Sequence, residues 1–372
     1  MKIYHSLAEA PADFGPCALT IGNFDGVHFG HRRILRRLKS LADARGWKPS
    51  VLTFDPHPTR VVAPERTPPL LTSPEGRAEL MREEGIEQVL ILPFTRELAV
   101  VTPEEFARQV LVGRLDARAV LVGSNFHFGH RQAGNMQVLV ELGRKLGFET
   151  EIVPSVTCRG RVVSSSGLRE LIKAGRVSLA ARFLQHAYAL EGRVVAGRGI
   201  GSKQTVPTLN LATSAEVIPA LGVYVTRTRD LSTGREWNSL TNIGYRPTFG
   251  ASDQLSIETF LLDAVAHALL RAVSALVPTR GSAAERRDES RRGTHECVRH
   301  STASTGKLTL VGGPLPPVGR PLRVEFLWRI RDEIAFDSPQ ALKAQILKDA
   351  RTAQNYFRRA QAWIGRPERP CS

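Results

Sequence analysis

A chain of 372 residues is longer than one hydrophobic core ordinarily serves, roughly 250–300 residues, so two domains are expected. With 42% hydrophobic and 23% charged residues, and no apolar run near the ~20 residues of a bilayer span, the composition excludes the membrane and disordered classes. The 51 Lys and Arg against 36 Asp and Glu give a formal charge of +15, which admits nucleic acid or small anions as partners without choosing between them.

In chain order, short β-rich runs at 18–21, 51–54, 89–92, 119–122 and 151–153 alternate with helical patterns at 31–45, 74–84, 103–111 and 137–145. Thr102-Pro103-Glu104-Glu105 supplies an N-cap, a proline at N1 and a glutamate at N3, the capping-box pattern. Such alternation predicts an open parallel α/β sheet, whose ligands sit beyond the C-terminal ends of its strands. From about residue 188 the texture changes to β runs broken by Gly and Pro, at 190–195, 222–227, 239–243, 256–262 and 322–328, which predicts an antiparallel barrel or sandwich. Ser338 then caps a long amphipathic helix, with Pro339 at N1 and Leu342, Ile346, Ala350, Ala353 and Phe357 on the face that would close against the β-domain. Between the last two of those strands, 264–320 holds nine basic and four acidic residues and a Gly-Gly-Pro-Leu-Pro-Pro run. A structureless span of that length inside a compact domain reads as an inserted, largely disordered loop over 264–319. The N-terminus lacks the apolar run of a secretory signal, and Cys17, Cys158, Cys297 and Cys371 are too scattered for a metal pair or short disulfide framework. A cytoplasmic protein with reduced thiols is expected.

The strongest motif is Ile21-Gly22-Asn23-Phe24-Asp25-Gly26-Val27-His28-Phe29-Gly30-His31, at the end of the first strand run and the start of a helix. Two histidines three residues apart after a Gly-rich turn, followed by Arg32 and Arg33, would direct imidazole donors and free helix N–H groups toward one anion. A triphosphate is the natural guest; helix capping alone is the plainer alternative. Asp55-Pro56-His57-Pro58 forms a stiff loop suited to a pocket wall. Asn125, just past a strand, can donate to and accept from a base or flavin edge. Ser164, Ser165 and Ser166 lead into a helical pattern at 167–173, which they can cap while Arg169 reaches a phosphate. Further on, Gly197, Gly199 and Gly201 fit neither the dinucleotide nor the P-loop spacing. A Gly-rich loop between strands can still lay backbone amides over phosphates, with Lys203 as a point charge.

The first motif resembles the H-x-G-H element of the nucleotidyltransferase superfamily, in the G-x-F-D-G-x-H-x-G-H form of bacterial bifunctional riboflavin kinase/FAD synthetases. Thr53-Phe54-Asp55-Pro56-His57-Pro58, Gly123-Ser124-Asn125-Phe126-His127-Phe128-Gly129 and Ser164-Ser165-Ser166-Gly167-Leu168-Arg169 match that family's next elements in order. Pro207-Thr208-Leu209-Asn210, Asn242-Ile243-Gly244-Tyr245-Arg246-Pro247-Thr248-Phe249 and Ile257-Glu258-Thr259-Phe260-Leu261-Leu262-Asp263 match its kinase elements, and the resemblance runs to about residue 362. It implies a Rossmann-like domain over 1–180 that transfers AMP from ATP to FMN. There His28 and His31 would be catalytic, and Gly22, Asn23, Phe24, Asp25, Gly26, Asn125, Arg161, Ser164, Ser165, Ser166 and Arg169 would bind ATP and FMN. It implies a β-barrel riboflavin kinase over 188–365, closed by the C-terminal helix, in which Gly197, Gly199, Gly201, Lys203, Pro207, Thr208 and Asn210 bind ATP and riboflavin. Thr208 and Asn210 would face Mg²⁺, and Glu258 would be the general base.

Three features depart from the pattern. Leu184-Gln185-His186-Ala187-Tyr188 stands for L-G-R-x-Y, 199–205 replaces G-R-x-L-G-F, and the 264–319 insertion follows Glu258 closely. The insertion leaves as an alternative a chain with adenylyltransferase activity alone. Two rivals stand outside the resemblance. Nucleotide transfer to another phosphorylated acceptor leaves Pro207–Asn210 and Glu258 unexplained. Nucleic-acid binding would favour a basic surface interleaved with aromatic residues, which the chain lacks. Neither nucleic acid nor membrane is expected as a partner.

Overall fold

The computed structural model describes residues 1–196, 208–246, 254–262 and 315–363. Strands β1 (Lys2–Tyr4), β2 (Cys17–Ile21), β3 (Lys48–Asp55), β4 (Gln88–Pro93), β5 (Ala117–Gly123) and β6 (Glu149–Val153) form one sheet in the order β1-β4-β3-β2-β5-β6. Every neighbouring pair is parallel. Side chains alternate between two cores: Leu19, Leu52, Leu90 and Val120 enter one, and Ala18, Val51, Val89 and Ala119 the other. Burial on both faces explains why these strands read as unbroken apolar runs. The chain proceeds outward from β2 to β3 and β4 on one side and reaches β5 and β6 on the other. The switch point, where a doubly wound sheet opens a crevice, therefore lies at the C-terminal ends of β2 and β5.

The five strands predicted for this sheet are all present, each extended by one to four residues, and β1 is added at the sheet edge. Thr102 and Glu105 make both hydrogen bonds of the predicted capping box. The helix expected at 103–111 instead divides into Pro103–Glu105 and a π-helical stretch, Phe106–Arg114.

A small hairpin of β7 (Thr157–Cys158) and β8 (Arg161–Val162) precedes two helices, Ser165–Lys173 and Val177–Leu184. Then β9 (Tyr188–Val195), β10 (Leu209–Ala212), β11 (Gly222–Asp230), β12 (Glu236–Arg246), β13 (Gln254–Leu261) and β14 (Pro321–Arg331) close into a barrel. Its order is β10-β13-β12-β11-β14-β9 and all its pairs are antiparallel. The helix Pro339–Trp363, capped by Ser338 Oγ on the Ala341 N–H, lays Ile346, Ala350, Ala353 and Phe357 against Val223, Val225 and Leu240 of the barrel's outer face. Leu171, Ile172 and Phe183 of the two preceding helices share one core with Leu190, Leu209 and Phe326 of the barrel. Of the expected insertion, 264–314 lies outside the described residues. Leu315 packs against that shared core, and Gly319 donates its N–H to Val194 O. Among the described residues no helix is long and apolar enough to cross a membrane.

Candidate active sites

The turn after β2 is bent sharply: Phe24, Gly26 and Val27 all have positive φ, at 50°, 80° and 38°. For Phe and β-branched Val this is backbone strain, held in place by what the turn binds. Asp25 anchors it. Its buried carboxylate accepts from Leu71 N, Thr72 N and Thr72 Oγ1, and pairs with Arg169 Nη2 at 2.6 Å. The turn then enters the helix Phe29–Arg45, where His28 is the N-cap and accepts from His31 N at 3.3 Å through Nδ1. Its remaining ring proton therefore sits on Nε2. The two imidazoles stack at 3.7 Å between centroids. Gly30 permits this, since a Cβ there would stand 3.1 Å from the His28 ring. Burial lowers the pKa of His28 to about 4 and that of His31 well below its usual value, so both rings are neutral at pH 7. His31 Nδ1 is buried without a hydrogen-bond partner.

Around this turn opens a cleft of about 1070 Å³, lined by Gly22, Asn23, Phe24, Asp25 and His31 after β2, and by Gly123, Asn125, Phe126 and Phe128 after β5. Ser165, Ser166 and Arg169 close one side, and Phe54, His57, Phe94 and Arg96 another. The rings are ordered: Phe54 meets Phe94 edge-on at 5.5 Å, and Phe126 stacks with Phe128 at 5.4 Å. The cleft joins strained turn, neutral imidazole donor and aromatic wall at the topological switch point.

Several expected binders have other partners. His28 lies beneath His31, outside the cleft lining, so capping accounts for part of its role. Arg169 was expected to reach a phosphate, but its Nε donates to Pro69 O and its Nη2 to Asp25. Together with buried Asp25 it holds the turn rather than projecting from it. Ser164 caps its helix by accepting from Gly167 N, while Ser165 Oγ donates to Asp25 O. Gly26 packs against Leu71 and Leu184, and Arg161 is exposed on β8, both away from the cleft lining. Arg32 turns inward onto Glu83 and Glu84. Sequence reasoning left Phe94, Arg96 and Arg77 unmarked. The first two follow the end of β4, where the strand-end rule could have found them; Arg77 sits mid-pattern in the helix Pro74–Glu83 and carried no signal.

On the barrel, Glu258 of β13 stands directly opposite Asn210 of β10 on one side and Asn242 of β12 on the other. Cross-strand partners share a face, so two amides flank the carboxylate, which also accepts from Ser256 Oγ at 3.2 Å. Thr208 immediately precedes β10. Gly197, Gly199, Gly201, Lys203 and Pro207 lie outside the described residues, as does 247–249 of the N-I-G-x-R-P-T-F element.

A cleft that presents donors and rings at the switch point, joined to a barrel with an amide-flanked glutamate, defines a two-domain nucleotide-dependent transferase. The family model for FAD synthetase matches residues 10–167, and that for riboflavin kinase matches 184–276 and 316–357. The bifunctional riboflavin kinase/FMN adenylyltransferase of Pseudomonas fluorescens is 34% identical over 71% of this chain and 84% of its own length. The protein of the same name from Escherichia coli K12 is 30% identical over 95% of this chain and 96% of its own. A crystal structure described as a macrolide-efflux protein from Streptococcus pneumoniae superposes with a TM-score of 0.73 at 22% identity, covering 95% of this chain and 98% of that one; the likeness is one of fold. The chain belongs to the bifunctional riboflavin kinase/FMN adenylyltransferase family.

Proposed function

We propose that the chain makes FAD in two steps, phosphorylating riboflavin to FMN in a domain spanning 188–365 and joining FMN to AMP in one spanning 1–180. The observation that carries the reading is the cleft at the ends of β2 and β5, where the partnerless His31 Nδ1 adjoins an aromatic wall suited to a flat flavin ring. In adenylyl transfer an FMN phosphate oxygen attacks the α-phosphorus of ATP and pyrophosphate leaves, so no protein nucleophile is needed. The chain has to place the two substrates in line and stabilise the charge. His31, the Asn23 turn and Ser165 and Ser166 take the phosphates, while His28 orients His31 from beneath. Because both imidazoles are neutral, they act as N–H donors, and a bound polyphosphate would raise their proton affinity.

In the kinase domain Glu258 accepts the proton of the ribityl 5′-hydroxyl as that oxygen takes the γ-phosphoryl group and ADP leaves. Thr208 and Asn210 offer neutral oxygen donors beside a carboxylate, and among the described residues no cluster of three or more acidic, His or Cys ligands could cage a metal alone. That donor set fits Mg²⁺ shared with ATP phosphates, which when bound neutralises their charge. In this reading the chain works in the cytoplasm on small-molecule substrates, with neither nucleic acid nor membrane as a partner. Incubating the purified chain with ATP, Mg²⁺ and either riboflavin or FMN, and separating flavins by chromatography, tests the whole reading. Riboflavin should yield FMN and FAD, and FMN should yield FAD; no product from either mixture would sink it.

A further inference from the structure

Beneath the cleft lies a cation the reaction scheme has not used. Among the described residues Arg77 is the largest fully buried side chain, 2% exposed. Its Nη1 donates to Asn23 O at 2.6 Å and to Thr53 Oγ1 at 3.3 Å, and Thr53 Oγ1 itself donates to the same Asn23 oxygen. Two donors, themselves hydrogen-bonded to each other, thus pin the carbonyl of the first residue of the strained turn. Asn23 passes that order on, because its side-chain amide lies 2.9 Å from His57 Nε2 on the opposite wall of the cleft. Arg77 Nε has no hydrogen-bond partner, and among the described residues no ion pair reaches this guanidinium. A guanidinium so deeply buried is costly to keep charged without a counter-ion. Asp25, Asp55 and Glu75 offset the charge only through space, and Asp25 is already paired with Arg169. The positive charge of Arg77 is felt at His31 and His57, both in the cleft lining, where it opposes imidazole protonation. Its field therefore points into the space where a polyphosphate is expected.

We propose that Arg77 is a positioning residue for adenylyl transfer. Its side chain fixes the Asn23 turn, and its unpaired charge, held under the cleft floor, is completed electrostatically by the polyphosphate of ATP. The inference rests on the adenylyltransferase reading and extends it to a residue that touches no substrate. A helix packing against the sheet needs only an apolar side chain at this position, and the buried charge is what distinguishes the two roles.

Three variants of the full chain separate position from charge. Arg77→Lys keeps the charge and a donor, Arg77→Gln keeps a donor without charge, and Arg77→Met keeps volume alone. FAD formation from FMN is followed at varied ATP, with riboflavin phosphorylation by the same preparation as the control for folding. Arg77→Gln should raise the KM for ATP on the order of tenfold with a smaller change in kcat. Arg77→Met should add a comparable loss in kcat, because Asn23 O keeps only the Thr53 hydroxyl of its two donors. Arg77→Lys should stay within about threefold of the parent on both, since it retains charge and donor. Equal behaviour of the Gln and Lys variants would overturn the proposal, and so would a parent-like Gln variant. Should the Met variant fail to fold, losing kinase activity as well, the Gln and Lys pair still decides. Calorimetric titration with inorganic pyrophosphate should give the same order of affinities: parent and Lys above Gln. If the parent makes no FAD from FMN, the adenylyltransferase reading fails, and the pyrophosphate order still tests the charge.

Discussion

The capping role of His28 and the catalytic role proposed for it can be separated by substitution. As N-cap its Nδ1 accepts the His31 N–H, a role Asn fills well, whereas Ala leaves that amide without its partner. His28→Ala should therefore lower both stability, by about 1 kcal/mol, and FAD formation, by about a hundredfold or more. His28→Asn should recover the melting temperature and not the FAD rate. Full recovery of the rate by Asn would reduce His28 to a cap, and loss of riboflavin phosphorylation in either variant would place its effect outside the N-terminal site. Burial of the same ring also sets a pH dependence. In the unfolded chain the imidazole takes a proton as pH falls below about 6.5, while in the folded chain it resists until about 4. The unfolded state thus binds more protons across that window, and stability is lost as pH falls through it, on the order of 3 kcal/mol from this group. Denaturant midpoints between pH 7 and 4 should fall less steeply in His28→Asn than in the parent; parallel curves would contradict the assignment. The sequence made the histidine pair legible because their spacing against a Gly-rich turn is local. It gave no hint that one ring would lie beneath the other, or that Arg169 would face Asp25 across 144 residues of chain, since such partnerships are set by packing.

At the scale of elements, strands and helices were readable wherever one rule governed them. Buried parallel strands announce themselves by apolar runs, and the terminal helix by Ser338, Pro339 and its stripe of Leu342, Ile346, Ala350 and Phe357. Two strands of the sheet and barrel escaped. β1 has three residues at the sheet edge, too few to show a period, and β10 has four, within what reads as a ligand motif. The second omission matters for function, because β10 is what brings Asn210 opposite Glu258. A carboxylate between two amides, at the junction of three strands, is placed by register, and a slip of one residue would move it to the other barrel face. Glu258→Gln preserves that register and the hydrogen-bonding shape while removing the proton acceptor. It should reduce FMN formation from riboflavin by a factor of about 10²–10⁴ and leave FAD formation from supplied FMN intact. Unchanged FMN production would remove Glu258 as the base, and loss of both products would point to an unfolded barrel.

The two catalytic halves are not independent bodies on a tether. Leu71, Leu168, Ile172, Phe183 and Leu184 from the α/β side pack in one buried cluster with Leu190, Val194, Leu209, Val324 and Phe326 of the barrel. Polar ties cross the same boundary: Glu216 accepts from Arg60 and from Leu70 N, Ser178 Oγ donates to Leu327 O, and the His186 ring meets Gly26 O. The bonds of Glu216 and His186 reach the segments that build the turn after β2: Leu70 adjoins the amides that hold Asp25, and Gly26 belongs to the turn itself. Separating the halves would expose Ile172, Phe183 and Leu190, each now buried, and that apolar area opposes separation at about 25 cal/mol per Å². A loose pair of domains would melt in two steps and tolerate a cavity in one without cost to the other. A shared core predicts one step. Phe183→Ala, at 3% exposure, should cost about 3–5 kcal/mol. It should bring heat inactivation of riboflavin phosphorylation and of FAD formation to the same lower temperature, with a single calorimetric transition in both parent and variant. If the kinase survived at a temperature where the adenylyltransferase of the variant was lost, the core would be divided and the two halves would stand on separate foundations.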